Sequence, residues 1–224
     1  GGFIVKWLKE HSLSLVFLVL FLLTLFGQSV AGYRYYNEEQ QEHRQPETTY
    51  MEYVTSGDFV ESVFENWESE FLQMGAYVIL TVFLYQRGSA ESKKLEGKEP
   101  VDQDPRKSRN AEAPWPVRKG GVALKLYENS LSLAFLILFL ASFFLHAAGG
   151  AQATCEENLQ HAQAECYSAG SYMMTSKFWF ESLQNWQSEF LAVLAIVVFS
   201  VYLRQKGSPE SKPVNTPHHK TGSE

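Results

Sequence analysis

Two stretches of this chain, Leu13 to Phe26 and Leu131 to Leu145, contain almost nothing polar and no Asp, Glu, Lys or Arg. Such runs are too long and too uniformly apolar for a surface helix. With their flanks, each approaches the roughly 20 residues needed to cross about 30 Å of hydrocarbon. They identify a membrane protein. A mean hydropathy of -0.19 conceals this, because very apolar and very polar blocks average out.

The first run invites a signal-peptide reading, since Lys6 and Lys9 precede it and Ser29-Val30-Ala31 resembles a cleavage site. The same run recurs at Leu131, where no signal peptide lies, so a retained span is expected. The chain does not begin with Met, so its true N-terminus is expected upstream or processed.

Both runs belong to a duplication. Asn66-Trp67-Glu68-Ser69-Glu70-Phe71-Leu72 reappears as Asn185-Trp186-Gln187-Ser188-Glu189-Phe190-Leu191, with one change. Ser12-Leu13-Ser14-Leu15 returns as Ser130-Leu131-Ser132-Leu133, and Gln86-Arg87-Gly88-Ser89 as Gln205-Lys206-Gly207-Ser208. Offsets of 118 and then 119 hold from end to end, so one unit is present twice.

Within the first unit, residues 1–11 lead into a span at about 12–31, and Gly32 with Tyr33-Arg34-Tyr35-Tyr36 marks its exit at headgroup level. An acidic loop, 37–58, follows. From Phe59, apolar residues recur at helical steps through Val60, Val63, Phe64, Trp67 and Phe71. The mainly apolar part, Phe71 to Tyr85, is too short to cross alone, at about 22 Å. Counting back about 20 residues from Tyr85 starts the second span near Asn66 and leaves Glu70 at or just inside the interface. Gly88 suits a helix C-cap.

The expected division is therefore 1–88 as a first two-helix repeat (spans about 12–31 and 66–85), and 89–119 as a flexible linker rich in proline and mixed charge. A second repeat occupies 120–207 (spans about 130–149 and 185–204), and 208–224 is a loose tail. The fold class is all-α: four transmembrane helices as two tandem, parallel-repeat hairpins. Of 19 Lys and Arg, 16 fall on the side of the termini and linker, which places that side in the cytoplasm.

The repeated Asn-Trp-x-Ser-Glu-Phe-Leu motif and the paired Ser-Leu-Ser-Leu starts resemble a family of bacterial inner-membrane proteins catalogued as a domain of unknown function. The resemblance covers both units. It implies a bacterial plasma membrane and carries no chemistry.

Glu70 and Glu189 are the foremost site candidates, because symmetry-equivalent carboxylates at one depth can line a cation or proton path. Their plainer role is interhelical glue, with Gln28 expected near Glu70 and His146 near Glu189. Asn66, Trp67, Ser69, Asn185, Trp186 and Ser188 complete the motif. Trp67, Trp179 and Trp186 form either a docking surface or an interfacial aromatic belt.

A weaker pattern places Glu39 with His43, and Glu157 with His161, one helical turn apart outside the membrane. Four such groups gathered together can bind zinc, whereas ordinary exposed ion pairs give the same spacing. His218 and His219 are expected to be solvated. Cys155 and Cys166 share one loop and either pair, in an oxidising compartment, or stay as thiols.

The basic residues of the linker alternate with acids, so nucleic-acid binding is not indicated. No nucleophile-base pair, phosphate loop or cofactor fingerprint is present in the sequence. Neither catalysis nor a cofactor is expected. The leading expectation is an accessory or scaffold protein in the lipid bilayer that binds other membrane proteins or itself. The rival is a small proton or cation channel or transporter using Glu70 and Glu189.

Overall fold

The computed structural model describes residues 2–107, 110–161 and 165–222. Residues 108–109 of the expected linker, 162–164 of the second polar loop and 223–224 of the tail lie outside these. The described residues are helical, with no strand. In order the helices are α1 (Gly2–Glu10), α2 (Ser12–Glu42), α3 (Tyr50–Val54), α4 (Gly57–Phe83), α5 (Trp115–Lys119), α6 (Gly121–Glu128), α7 (Ser130–Gln160), α8 (Ala169–Tyr172) and α9 (Ser176–Tyr202). Two short 3₁₀ turns, Pro100–Asp102 and Pro105–Lys107, punctuate the linker.

The apolar runs become α2 and α7, and both helices continue well past the expected spans into the polar loops. Three helices, α2, α7 and α9, are long and apolar enough to cross a membrane. Four were expected; by length and composition, three qualify. The helix α4 falls short because Glu61, Glu65, Glu68 and Glu70 lie along it and it ends at Phe83. Its apolar run, 71–83, extends only about 20 Å at 1.5 Å per residue. In α9 the positions of Glu61, Glu65 and Glu68 are held by Phe180, Gln184 and Gln187, so the same plan carries fewer acids and is more apolar.

The chain forms two compact units, 1–63 with 147–172 and 64–146 with 173–224. Neither coincides with one sequence repeat. The divisions fall inside α4, after Val63, and inside α7, after His146.

In the first unit, α2 ends where Arg44 takes a positive φ of 58° and Gln45 N–H returns to Gln40 O at 2.8 Å. Asn37 ties the following loop down, donating to Thr48 O and accepting from Thr48 N–H. A capping box starts α3: Thr49 and Glu52 each accept from the other's backbone N–H. Tyr33, Tyr36, Tyr50, Tyr53 and Phe59 stack edge-on or tilted in this region. Gly57 and Gly149 permit a close backbone approach. A Cβ at Gly149 would sit 2.5 Å from Glu61 N, and one at Gly57 would sit 2.5 Å from Ala153 N.

In the second unit, the described residues of the linker and tail make specific contacts. Gly88 lies five residues beyond the end of α4 and is not its C-cap, although its φ of 86° does require glycine. The tail turns back on itself: Lys212 is buried, and its ammonium donates to Pro217 O, His218 O and Lys220 O. Three carbonyls converge on one cation there, which explains why a lysine is buried without a carboxylate partner. Burial, and then the neighbouring Arg204, hold its pKa below the ordinary lysine value.

Candidate functional site: a buried carboxylate–histidine network

Helices α4, α7 and α9 each contribute to one buried polar network in the second unit. His146, from α7, has no exposed surface, and neither has Glu68 of α4. The imidazole Nδ1 lies 3.1 Å from Glu68 Oε2. The other Glu68 oxygen, Oε1, accepts from Trp186 Nε1 of α9 at 3.2 Å. On its far side, His146 Nε2 approaches Glu181 Oε2 at 3.5 Å, without hydrogen-bond geometry. Glu181 also faces Lys177, one turn earlier on α9, at 3.8 Å.

The helical repeat explains this convergence. Glu181 and Asn185 stand four residues apart on α9, and Glu65 and Glu68 three apart on α4, so each pair shares a face. Asn185 Nδ2 donates to Glu65 Oε1 and also to the backbone carbonyl of Glu181. Glu65, Glu68 and Glu181 thus meet Asn185, His146 and Lys177 in one network.

Aromatic rings close the network off from solvent. Phe178 is fully buried with its ring centroid 4.8 Å from that of His146, and Phe143 meets Phe178 edge-on at 5.0 Å. Trp186 packs near Phe139 and Trp179. In such low-dielectric surroundings, a satisfied network is strong and a broken one is costly.

The expected pairings come out differently. His146 meets Glu68 and Glu181 rather than Glu189. Glu181 precedes Glu189 by two turns of α9, so the contact falls that much nearer the helix start. Glu68, not Glu70, turns inward, since two residues rotate a helix by roughly 200°; Glu70 is exposed. Gln28 donates weakly to Ser62 Oγ at 3.4 Å in the first unit. Glu189 is half-buried and lies within electrostatic range of Glu70, and its backbone carbonyl accepts from Gln73 Nε2 at 3.0 Å.

The remaining motif residues behave alike in the two copies. Ser69 Oγ donates to Asn66 O at 2.7 Å and Ser188 Oγ to Asn185 O at 2.8 Å, each closing a local turn. Trp67 packs edge-on against Phe64 at 5.0 Å.

In the first unit, Cys155 and Cys166 form a disulfide with Cα atoms 4.5 Å apart. The rings of His43 and His161 meet edge-on at 5.7 Å, both exposed. Among the described residues, Glu39, His43, Glu157 and His161 do not bring three ligand atoms together. The Glu39 carboxylate, one turn away on the same helix, is the main cause that holds the Tyr35 phenol above its ordinary pKa.

Glu68 was not singled out by sequence, because it occupies the variable position of the repeated motif. The available signal was that same variability: it is the one position where the two copies differ.

A family model described as Domain of unknown function (DUF6766) matches residues 4–223. The chain belongs to this family. The match runs through the long helices, the linker and the tail. No curated protein and no solved structure matches the chain.

Proposed function

We propose that this protein works by association, as a non-catalytic accessory or scaffold component that binds other membrane proteins or further copies of itself. The observation that carries this reading is the closure of the Glu68 carboxylate. Both its oxygens are taken by His146 and Trp186 of the same chain, which suits a polar clasp between helices. Facing outward, the most apolar windows of α2, α7 and α9 are only 6%, 17% and 11% buried. Their side chains are left to lipid or to neighbouring membrane proteins.

In this reading α4 is a fourth crossing. Two of the acids on α4 are satisfied within the chain, Glu68 by His146 and Trp186, and Glu65 by Asn185, while Glu70 lies exposed toward the helix's apolar half. The desolvation cost is offset inside the protein. The equal lengths of α2 and α7, 31 residues each, and of α4 and α9, 27 each, support a tandem duplication. Four crossings return both termini to one face, and the bias of Lys and Arg makes that face cytoplasmic. The Cys155–Cys166 disulfide supports an oxidising environment for the opposite loops. A bacterial inner membrane is the setting that the motif resemblance implies.

The native mass in mild detergent tests the association reading. The expected result is a particle well above 25.5 kDa plus detergent, containing further polypeptides or copies. A lone monomer rejects it.

A second reading, a proton or cation channel, rests on the equivalence of Glu70 and Glu189 in the two copies of the motif. It requires liposome flux that disappears in Glu70→Gln with Glu189→Gln; unchanged flux removes those carboxylates from any conduction path.

A further inference from the structure

After α4 and after α9 the chain carries one eight-residue pattern, Gln-Arg/Lys-Gly-Ser-x-Glu-Ser-Lys, at 86–93 and 205–212. The two loops are conformational copies. Gln86 N–H donates to Ser92 Oγ and Gln205 N–H to Ser211 Oγ, both at 2.9 Å. Ser92 Oγ then donates to Lys93 O at 3.0 Å, and Ser211 Oγ to Lys212 O at 3.1 Å. Ser89 N–H reaches Gln86 O, and Ser208 N–H reaches Gln205 O, at 3.2 Å in both. Glu91 N–H and Glu210 N–H bond to Ser89 Oγ and Ser208 Oγ at 3.1 and 3.2 Å. The glycines match as well, with φ of 86° at Gly88 and 85° at Gly207.

The first loop is occupied by the chain's own tail. Gly88 N–H donates to Thr221 Oγ1 at 2.9 Å in a buried bond, and Gly222 N–H donates to Ser89 O at 2.9 Å. The tail backbone lies directly on the glycine, since a Cβ at Gly88 would sit 2.4 Å from His218 O. Gly222 itself has a φ of 87°, a conformation that favours glycine after the threonine.

The second loop offers the same groups, and among the described residues none of the tail covers them. A Cβ at Gly207 meets no atom within 4 Å. The Ser208 carbonyl receives only a long turn bond, 3.4 Å, from Ser211 N–H. An open depression of about 920 Å³ lies against 205–209 and 211–214.

We propose that the loop 205–212 is a docking site for an extended segment of a partner protein with the tail's own chemistry, a hydroxyl residue followed by glycine. The hydroxyl oxygen accepts from Gly207 N–H, and the glycine N–H donates to Ser208 O. The loop is already in the shape that receives such a segment, so no rearrangement precedes docking. A second copy's tail is the poorer occupant. Each tail is already held on Gly88 and pinned by Lys212 of its own chain, so exchange would vacate one loop to fill another. The inference stands whether the membrane part is an accessory subunit or a channel.

The test uses the full-length protein in detergent and a fluorescent peptide with the sequence of residues 216–222, read by anisotropy. One equivalent is expected to bind. Affinity should fall at least tenfold for a peptide with valine in place of the second threonine, and binding should be lost in Gly207→Val. A chain truncated after Val214, with its first loop vacated, should bind two equivalents. Failure of the full-length chain to bind overturns the proposal, whatever the truncated chain does. Binding that Gly207→Val leaves intact also overturns it, because the peptide is then displacing the tail from Gly88.

Discussion

The Glu68 carboxylate meets the His146 ring at 3.1 Å, and neither side chain has any exposed surface. At the corresponding positions of the other repeat the residues are Gln187 and Gln28, so a carboxyl–imidazole pair in one place corresponds to two amides in the other. Removing one member of a buried pair leaves the other uncompensated and costs about 3–5 kcal/mol. Glu68→Ala and His146→Ala are each expected to lose stability on that scale in detergent thermal unfolding. Changing both residues to Gln should cost less than the sum of the two single Gln changes. Strict additivity would show that the contact carries no coupling.

Gly149 and Gly57 allow backbones to approach in the first unit, where an added Cβ would lie 2.5 Å from a backbone nitrogen in either case. Neither neighbour is a flexible side-chain tip. Gly149→Ala is therefore expected to destabilise by about 1–3 kcal/mol through overpacking. Gly97, whose Cβ would meet nothing within 4 Å, is not a fair control because its φ is positive; Gly27, with open space and ordinary φ, is. Gly27→Ala should be neutral or slightly stabilising in the same melt.

Lys93 and Asp102 are joined at 2.8 Å in the linker. Their hydrogen bond is the main cause of a lowered carboxyl pKa at Asp102 and a raised ammonium pKa at Lys93. A lowered carboxyl stabilises the fold above its ordinary value of 3.8, and that contribution is lost as pH falls through the folded value. A raised ammonium stabilises below its ordinary 10.5, and that contribution is lost as pH rises through the folded value. The contact should thus hold across the neutral range. Carboxyl NMR titration should show Asp102 below the ordinary aspartate range and returning toward it in Lys93→Ala.

The Cys155–Cys166 bond provides a test of sidedness. In intact cells, a membrane-impermeant reductant and thiol reagent should label both cysteines if their loop lies outside the cytoplasm. Labelling only after lysis would invert the proposed orientation. Replacing both cysteines by Ala should cost about 3 kcal/mol, the scale expected for closing a loop of this size.

The sequence made α2 and α7 legible because an unbroken apolar run has few alternatives to a long helix. It placed the last span at about 185–204, whereas α9 begins earlier, at Ser176, because its amphipathic entry continues the same helix. The site was less legible. Identity between copies drew attention to Glu70 and Glu189, but identity does not say which side of a helix faces inward. Only the packing of α4 against residues far along the chain decides that Glu68 is the buried acid. The folded tail was illegible for a related reason. Its order comes from Lys212, Arg204 and Thr221 meeting backbone groups, and backbone acceptors leave no mark on composition.

Glu68 finds its partners 78 and 118 residues later in the chain. During synthesis, α4 is therefore complete while His146 and Trp186 do not yet exist. Until they do, Glu68 has nothing to be buried against, and α4 must keep its acids in polar surroundings. Its final seat becomes available only when α7 and α9 have followed. The buried pair thus makes maturation depend on the second half of the chain, and a nascent protein stopped before His146 is left with an acid-bearing helix that quality-control proteases can recognise.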